Sequence, residues 1–274
     1  MIDRDLARQV LAAAMARGAD FAEIYAEQRR TTSVVCEDDR VEKIFSGQER
    51  GAGVRVIRGG STAYAFTNDL SPNSLLQAAR VAARVAGGVQ GGELADLRAL
   101  PAGGEAARPG QVAIERKTAW VKAANAAARA AGAEVRQVMV ALGDIEKSVM
   151  IANSLGEWLE DEAARVRLTV NVVAAADGII QTGMEAIAAS SGWEVLEETS
   201  PEELAQKAAA RALLMLKARP CPAARMPVIL SSRAGGTMVH EACGHGLEAD
   251  LVQKGLSVYA GKIGSKVAAE CVSV

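Results

Sequence analysis

Segments with the period of an amphipathic helix alternate along this chain with stretches rich in β-branched residues. Leu6, Val10 and Leu11 recur at helical spacing before Gly18 ends the first helix. Further helical segments follow, separated by runs in which apolar and polar residues alternate as in half-buried strands. The order helix, strands, helix, strands, helix predicts an α+β fold, with helices packed on a mainly antiparallel sheet.

The elements of this pattern can be placed approximately. Gly59 and Gly60 separate two runs of β-branched and aromatic residues in RVIRGGSTAYAF, which predicts a hairpin. A helix is expected over about 112–131. Another is expected from Ser200 to about Lys217, because a capping serine is followed there by proline and two acidic residues.

Composition changes indicate the domain organisation. Residues 87–110 are rich in glycine, alanine and proline and are interpreted as a linker. This linker divides an N-terminal α+β domain, 1–219, into possible sub-blocks 1–88 and 111–218. After the sequence RPCP, residues 220–274 are interpreted as the beginning of a second domain.

Two apolar runs in this second domain have the composition of strands. MPVILSS is expected to form a short strand near its start. The sequence ends in AAECVSV, which has the character of a strand interior. We therefore expect the chain to be the front part of a longer protein, with the second domain truncated.

Charge and cysteine usage exclude several classes of protein. The net charge is -2, and aromatic residues make up 3% of the chain, so neither a basic surface nor base-stacking platforms for nucleic acid are expected. No secretory signal or membrane span is apparent. The cysteines form no CxxC pair, which is typical of reduced thiols; they are Cys36, Cys221, Cys243 and Cys271. A cytoplasmic location without membrane or direct nucleic-acid partners is therefore expected.

The chain contains two histidines, and both lie in the sequence TMVHEACGHGLEAD. His240, Glu241 and His245 form an H-E-x-x-x-H arrangement. Neutral imidazoles are common zinc ligands, and a neighbouring glutamate can act as a general base in hydrolysis. The alternative is that both histidines are ordinary surface or core residues.

The spacing of the two histidines predicts a distorted helix. Side chains four residues apart on an ideal helix differ by about 40° in direction, whereas side chains five apart differ by about 140° and cannot share an ion. A π-bulge adds the residue that brings positions five apart onto one face, and such bulges are frequent at functional sites. Gly244, directly before His245, is well placed to permit one.

A third ligand is not identified by the pattern. Glu248 lies three residues beyond His245 and is either a ligand or a carboxylate that orients an imidazole. Asp250 is a weaker candidate for the same roles. Cys243 lies between the histidines and Cys271 lies in an apolar run, so both are interpreted as packing residues.

The motif HEACGHGLEAD closely resembles that of TldD proteins in the TldD/PmbA metallopeptidase family. GADFAEIYAE, GAGVRVIRGGSTAYAFTND and IANSLGEW resemble segments of that family in the same order. The family's partner subunit, PmbA or TldE, lacks the histidines, so this chain resembles TldD. An older label for the family is modulator of DNA gyrase.

The resemblance implies a cytosolic zinc-dependent peptidase that degrades unfolded or modified peptides, matures peptide antibiotics and removes antitoxin. It implies that His240 and His245 bind zinc and that Glu241 is the general base. The third ligand in the family is a cysteine far downstream, outside this chain. Little activity and weak metal binding are therefore expected of these 274 residues alone.

The resemblance also implies a dimer with a TldE/PmbA-like subunit or with a second copy. A rival interpretation is a non-catalytic subunit that binds peptides or supports assembly, in which the histidines have no role.

Overall fold

The computed structural model describes residues 2–88, 91–101, 112–190 and 192–272. The chain divides into two compact units, Met1–Ala218 and Arg219–Val274. Part of the predicted linker 87–110 lies outside the described residues. The sub-blocks 1–88 and 111–218 contribute strands to one sheet rather than to two.

Seven strands of the first unit form this sheet in the order β3-β2-β1-β5-β6-β4, with β7 beside β6. The pairings are antiparallel except for the short contact between β4 and β6. The strands are β1 (Phe21–Glu37), β2 (Arg40–Arg58), β3 (Ser61–Thr67), β4 (Arg98–Ala99), β5 (Val135–Asn153), β6 (Glu157–Ala176) and β7 (Ile179–Ala189).

Several short runs of the sequence join into single long strands. β1, β2, β5 and β6 contain 17, 19, 19 and 20 residues. Charged residues within these long strands do not interrupt them. Their side chains form ion pairs with residues of neighbouring strands. Arg30 contacts Glu146 at 2.6 Å, and Arg29 pairs with Glu49.

Residues with positive φ close the tight turns of the sheet. Gly59 and Gly60 have φ of 54° and 80° and join β2 to β3, which confirms the predicted hairpin. Asp38 and Asp39, with φ of 48° and 67°, join β1 to β2.

The predicted helices are confirmed, with slightly shorter bounds. Asp3, Ser71 and Ser200 each accept a hydrogen bond from a first-turn backbone N–H, as capping residues do. The helices of the first unit are α1 (Arg4–Met15), α2 (Pro72–Ala86), α3 (Ile114–Arg129), α4 (Val195–Glu198) and α5 (Pro201–Leu216).

The long helices pack on one face of the sheet, which confirms the predicted α+β class. Val140 and Leu142 of β5 belong to one core cluster, beneath α3 and α5. Met150 and Ala152 belong to a second cluster, beneath α1 and α2. All four are even-numbered residues of one strand and therefore lie on the same face.

The second unit is helical in its central part. α6 (Ser232–Val239) leads into a π-helical turn, His240–Gly244, followed by a 3₁₀ turn, His245–Leu247, and α7 (Ala249–Gln253). No helix within the described ranges is both long and apolar enough to cross a membrane.

The strand predicted for MPVILSS is wrong. Residues 226–231 belong to no helix or strand, and α6 begins at Ser232. Val228 and Ile229 are 70% and 100% exposed, and no strand among the described residues pairs with this segment. In AAECVSV, the described residues 268–272 form bends and turns instead of a strand, and 273–274 lie outside the described residues.

Candidate metal centre

The helix is widened at the motif, as the spacing of the histidines predicts. The backbone N–H of His245 donates to the carbonyl oxygen of His240, five residues earlier. This bond defines the π-helical turn His240–Gly244. The additional residue in the turn places both histidines on the same side of the helix.

Gly244 is not required by the backbone of this turn. Its φ and ψ are -58° and -52°, which are ordinary helical values. A Cβ atom at this position would lie 3.6 Å from Nδ1 of His240, an ordinary contact. The widened turn therefore does not depend on the conformational freedom of glycine that the sequence interpretation invoked.

His240, Glu241 and His245 are brought together by the π-helical turn. Each offers one ligand atom, and these atoms lie within 4.8 Å of one another. The two imidazole rings have centroids 4.6 Å apart at an interplanar angle of 71°. Oε2 of Glu241 lies 3.6 Å from Nε2 of His245.

This donor set suits zinc. Two nitrogen ligands of a tetrahedral zinc ion are roughly 3.4 Å apart, given zinc–nitrogen bonds of about 2.0–2.1 Å. The separations in the cluster are somewhat wider than this, up to 4.8 Å. Because both histidines are exposed, their side chains can rotate by the small amount required.

Glu248 contacts His245 on the side of the ring away from Glu241. Its Oε1 lies 2.8 Å from Nδ1 of His245. The hydrogen bond and the charge of Glu248 raise the pKa of His245, and the charge of Glu241 adds to the effect. A contact of this kind is what an orienting role for Glu248 requires. Asp250 lies in α7 and does not belong to the cluster.

The pattern of the sequence did not reveal the turn that packs against the motif. Ser257 donates a hydrogen bond to the carbonyl of Gly246 and accepts one from the backbone of Tyr259 at 3.0 Å. A hydrogen bond with Cys243 raises the pKa of the Tyr259 phenol. No spacing rule connects these residues to the histidines, so no sequence signal was available. Cys271 is exposed rather than packed.

Comparison with protein-family models gives three consecutive matches. Residues 22–86 match the PmbA/TldA metallopeptidase domain 1, and residues 107–216 match the PmbA/TldA metallopeptidase central domain. Residues 223–274, which include the histidine motif, match the C-terminal domain of the same family.

Named relatives are metalloproteases. A metalloprotease of Methanothermobacter thermautotrophicus is 33% identical over 257 residues, which cover 93% of this chain and 56% of the relative. A metalloprotease TldD homolog of Haemophilus influenzae is 29% identical over 262 residues, covering 92% of this chain and 54% of the relative. The chain therefore spans about half the length of these relatives.

Solved structures share the fold. A protein of Thermotoga maritima, described as a candidate modulator of DNA gyrase, has a TM-score of 0.75 at 20% identity, over 94% of this chain and 58% of that one. TldE of Thermococcus kodakarensis has a TM-score of 0.66 at 15% identity, over 89% and 55%. The domain matches and the metalloprotease relatives together show that this chain belongs to the TldD/PmbA metallopeptidase family.

Proposed function

We propose that this chain supplies the metal-binding motif of a zinc-dependent peptidase that hydrolyses peptide bonds of unfolded or modified peptides. The observation that supports the proposal most directly is the convergence of two imidazoles and one carboxylate, within 4.8 Å, on a π-helical turn. The metalloprotease names of the relatives support the reaction type.

Each member of the cluster has a distinct role in this proposal. His240 and His245 hold the zinc ion, which when bound supplies Lewis-acid polarisation of the peptide carbonyl. Glu241 acts as the general base, because its carboxylate lies beside Nε2 of His245 and is largely exposed. It takes a proton from the attacking water and passes it to the nitrogen of the leaving amine.

Glu248 positions His245 in this proposal. A carboxylate that accepts a hydrogen bond from Nδ1 fixes the tautomer in which Nε2 has a free lone pair. Nε2 is the nitrogen that faces Glu241, so the same contact leaves the nitrogen that would bind the metal on the side of the general base.

The complete zinc site needs a further ligand, since catalytic zinc normally has three protein ligands. We propose a cysteine outside this chain as that ligand, and we expect little activity from these residues alone. The proposal includes a cytoplasmic location and a dimer with a TldE-like subunit or a second copy. The free cysteines support the cytoplasmic location. The structural similarity to TldE supports a dimer in which both subunits have the fold of this family.

The test uses the whole protein that carries this sequence. Glu241→Ala should abolish chelator-sensitive hydrolysis of an unfolded peptide while zinc content is retained. The matched control is Glu270→Ala, which removes an exposed carboxylate outside the cluster. If the unaltered protein retains no zinc, or if Glu241→Ala is fully active, the peptidase proposal fails. Peptide binding without hydrolysis would favour the rival non-catalytic subunit.

A further inference from the structure

The face of the sheet opposite the helices carries a groove of about 700 Å³. Neighbouring strands contribute aligned residues to its floor. Ser33 of β1, Gly143 of β5, Arg167 of β6 and Ala188 of β7 lie side by side in register. Gly143 has no side chain and Ala188 has only a methyl group, so the floor of the groove is low at these positions. The longer side chain of Arg167 rises above this floor.

The adjacent row on the same face also has a hydroxyl residue on β1 and an arginine on β6. Thr31, Ile145 and Arg165 lie in register on β1, β5 and β6. Arg165 and Arg167 are two residues apart on one strand, so they project from the same face at a spacing of roughly 6.6–6.8 Å. Thr31 and Ser33 add hydroxyl groups on the opposite side of the groove.

The two arginines differ from others on this face because no carboxylate among the described residues pairs with them. Within the described ranges, Arg55 pairs with Glu23 at 3.1 Å and Arg29 pairs with Glu49. Neither Arg165 nor Arg167 forms an ion pair with a described residue; Arg167 donates only to the hydroxyl of Thr169, at 3.2 Å. Both are exposed.

The acidic residue that lines the groove does not offset this charge. Asp144 is 4% exposed, and its Oδ2 accepts from Nζ of Lys117 at 2.5 Å on the helix side of the sheet. The groove therefore presents two guanidinium groups that pair with no carboxylate of the described residues, together with hydroxyl groups and an apolar floor. Guanidinium groups bind carboxylates through paired, charge-assisted hydrogen bonds.

We propose that this groove binds an extended acidic peptide segment. Side chains at alternate positions of an extended peptide also project on one side with a spacing of about 6.6–6.8 Å. Carboxylates two residues apart on such a peptide can each pair with one guanidinium, Arg165 or Arg167. The inference does not rest on the proposed peptidase function, because all residues of the groove lie in the unit Met1–Ala218.

The probe is a fluorescein-labelled peptide in which glutamate alternates with threonine, measured by fluorescence anisotropy with the full 274-residue chain. We expect saturable binding that weakens as salt is added. A peptide with glutamine in place of glutamate should bind at least about tenfold more weakly, because it loses both charge-assisted contacts.

The variant R165Q/R167Q should weaken binding of the acidic peptide at least about tenfold. The matched control R80Q/R84Q removes the same charge from the exposed surface of α2 and should leave affinity unchanged. Ala188→Glu provides an independent variant, since it places a carboxylate beside Arg167 at an exposed position and should compete with the peptide. Circular dichroism establishes that each variant is folded.

Three results would overturn the proposal. One is equal affinity of R165Q/R167Q and the unaltered chain for the acidic peptide. Another is equal loss of affinity in R80Q/R84Q, which would indicate only a general effect of net charge. The third is saturable, arginine-dependent binding of inorganic tripolyphosphate with no binding of the peptide, which would assign the groove to phosphate.

Discussion

The buried ion pair between Lys117 and Asp144 is a residue-level feature with a large expected effect on stability. Both residues are 4% exposed, their charged atoms are 2.5 Å apart, and Nζ of Lys117 lies 4.8 Å from the centre of the Trp193 ring. Lys117→Met leaves the carboxylate buried without a cation. The free energy of unfolding should fall by about 3–5 kcal/mol in urea denaturation.

A comparison pair and a double variant test this assignment. Lys207→Met removes an exposed pair with Glu203 and should change the free energy of unfolding by less than about 1 kcal/mol. K117M/D144N should recover part of the loss, because the uncompensated charge is removed. A decrease below about 1 kcal/mol for Lys117→Met would contradict the account.

Tyr25 provides a prediction about pH dependence. Burial, together with a hydrogen bond of 2.6 Å to Glu27 and the charge of Glu27, raises the pKa of Tyr25 to about 12. The native state thus favours the neutral phenol. This contribution to stability is complete below pH 10, the ordinary pKa of tyrosine, and is lost as the pH rises from there to about 12.

Absorbance titration of phenolate formation measures this directly. The transition near pH 12 should be absent in Tyr25→Phe, and in Glu27→Gln it should move toward the ordinary value of 10 because the negative charge is gone. A Tyr25 transition at the ordinary pH in the folded chain would show that the contact with Glu27 is wrong.

The residues of the metal cluster could be identified from the sequence, because His240, Glu241 and His245 are close along the chain. The convergence of their side chains follows from the number of residues in the π-helical turn. Tyr259 could not be identified in this way, because its contact with Cys243 depends on a turn 16 residues away. Only the fold brings that turn to the motif.

At the scale of elements, α5 packs closely on the sheet at Gly183 of β7. A Cβ atom there would lie 2.1 Å from the carbonyl oxygen of Ala208 on α5. Gly183→Ala must therefore push the helix away, and the free energy of unfolding should fall by at least about 2 kcal/mol.

Gly143→Ala is the matched control for this substitution in a strand. Its added Cβ atom would lie no closer than 3.3 Å to any neighbour, at the carbonyl of Thr32, so a loss below about 1 kcal/mol is expected. Equal losses for the two variants in thermal or urea denaturation would disprove the close packing of α5 on β7.

The π-helical turn gives a second prediction about an element. Since Gly244 has ordinary helical dihedrals and room for a Cβ atom, Gly244→Ala should keep the turn and its bond from His245 to His240. Zinc affinity measured by calorimetry should stay within about threefold of the unaltered chain. A loss of ten times or more would mean that the turn depends on glycine.

Helix ends were predictable because their signals are local: a capping serine, an early proline, a terminal glycine. Strand lengths were not, since Arg29 and Arg30 resemble a break in the sequence but lie within β1 and pair with neighbouring strands. The strand predicted from the composition of MPVILSS is wrong for the opposite reason: the segment has the residues of a strand but no described neighbour to pair with. A strand requires a partner, and the described residues provide none for it.

At the scale of the whole molecule, the two units differ in how much they bury. Met1–Ala218 contains both core clusters, one at each end of a single sheet. Among residues 219–232 and 234–272, none is buried, and large apolar side chains such as Ile263 are almost fully exposed. A site on such a unit has little packing to hold its side chains rigid, so we expect weak metal binding by this chain alone.

Calorimetric titration of zinc into the 274-residue chain is the most direct test of the shared metal site. The account predicts one weak, saturable site whose affinity falls at least about tenfold in both His240→Ala and His245→Ala. Cys271→Ser, which removes an exposed thiol outside the cluster, should leave it unchanged. Absence of saturable binding, or equal affinity in the two histidine variants and the unaltered chain, would contradict the account.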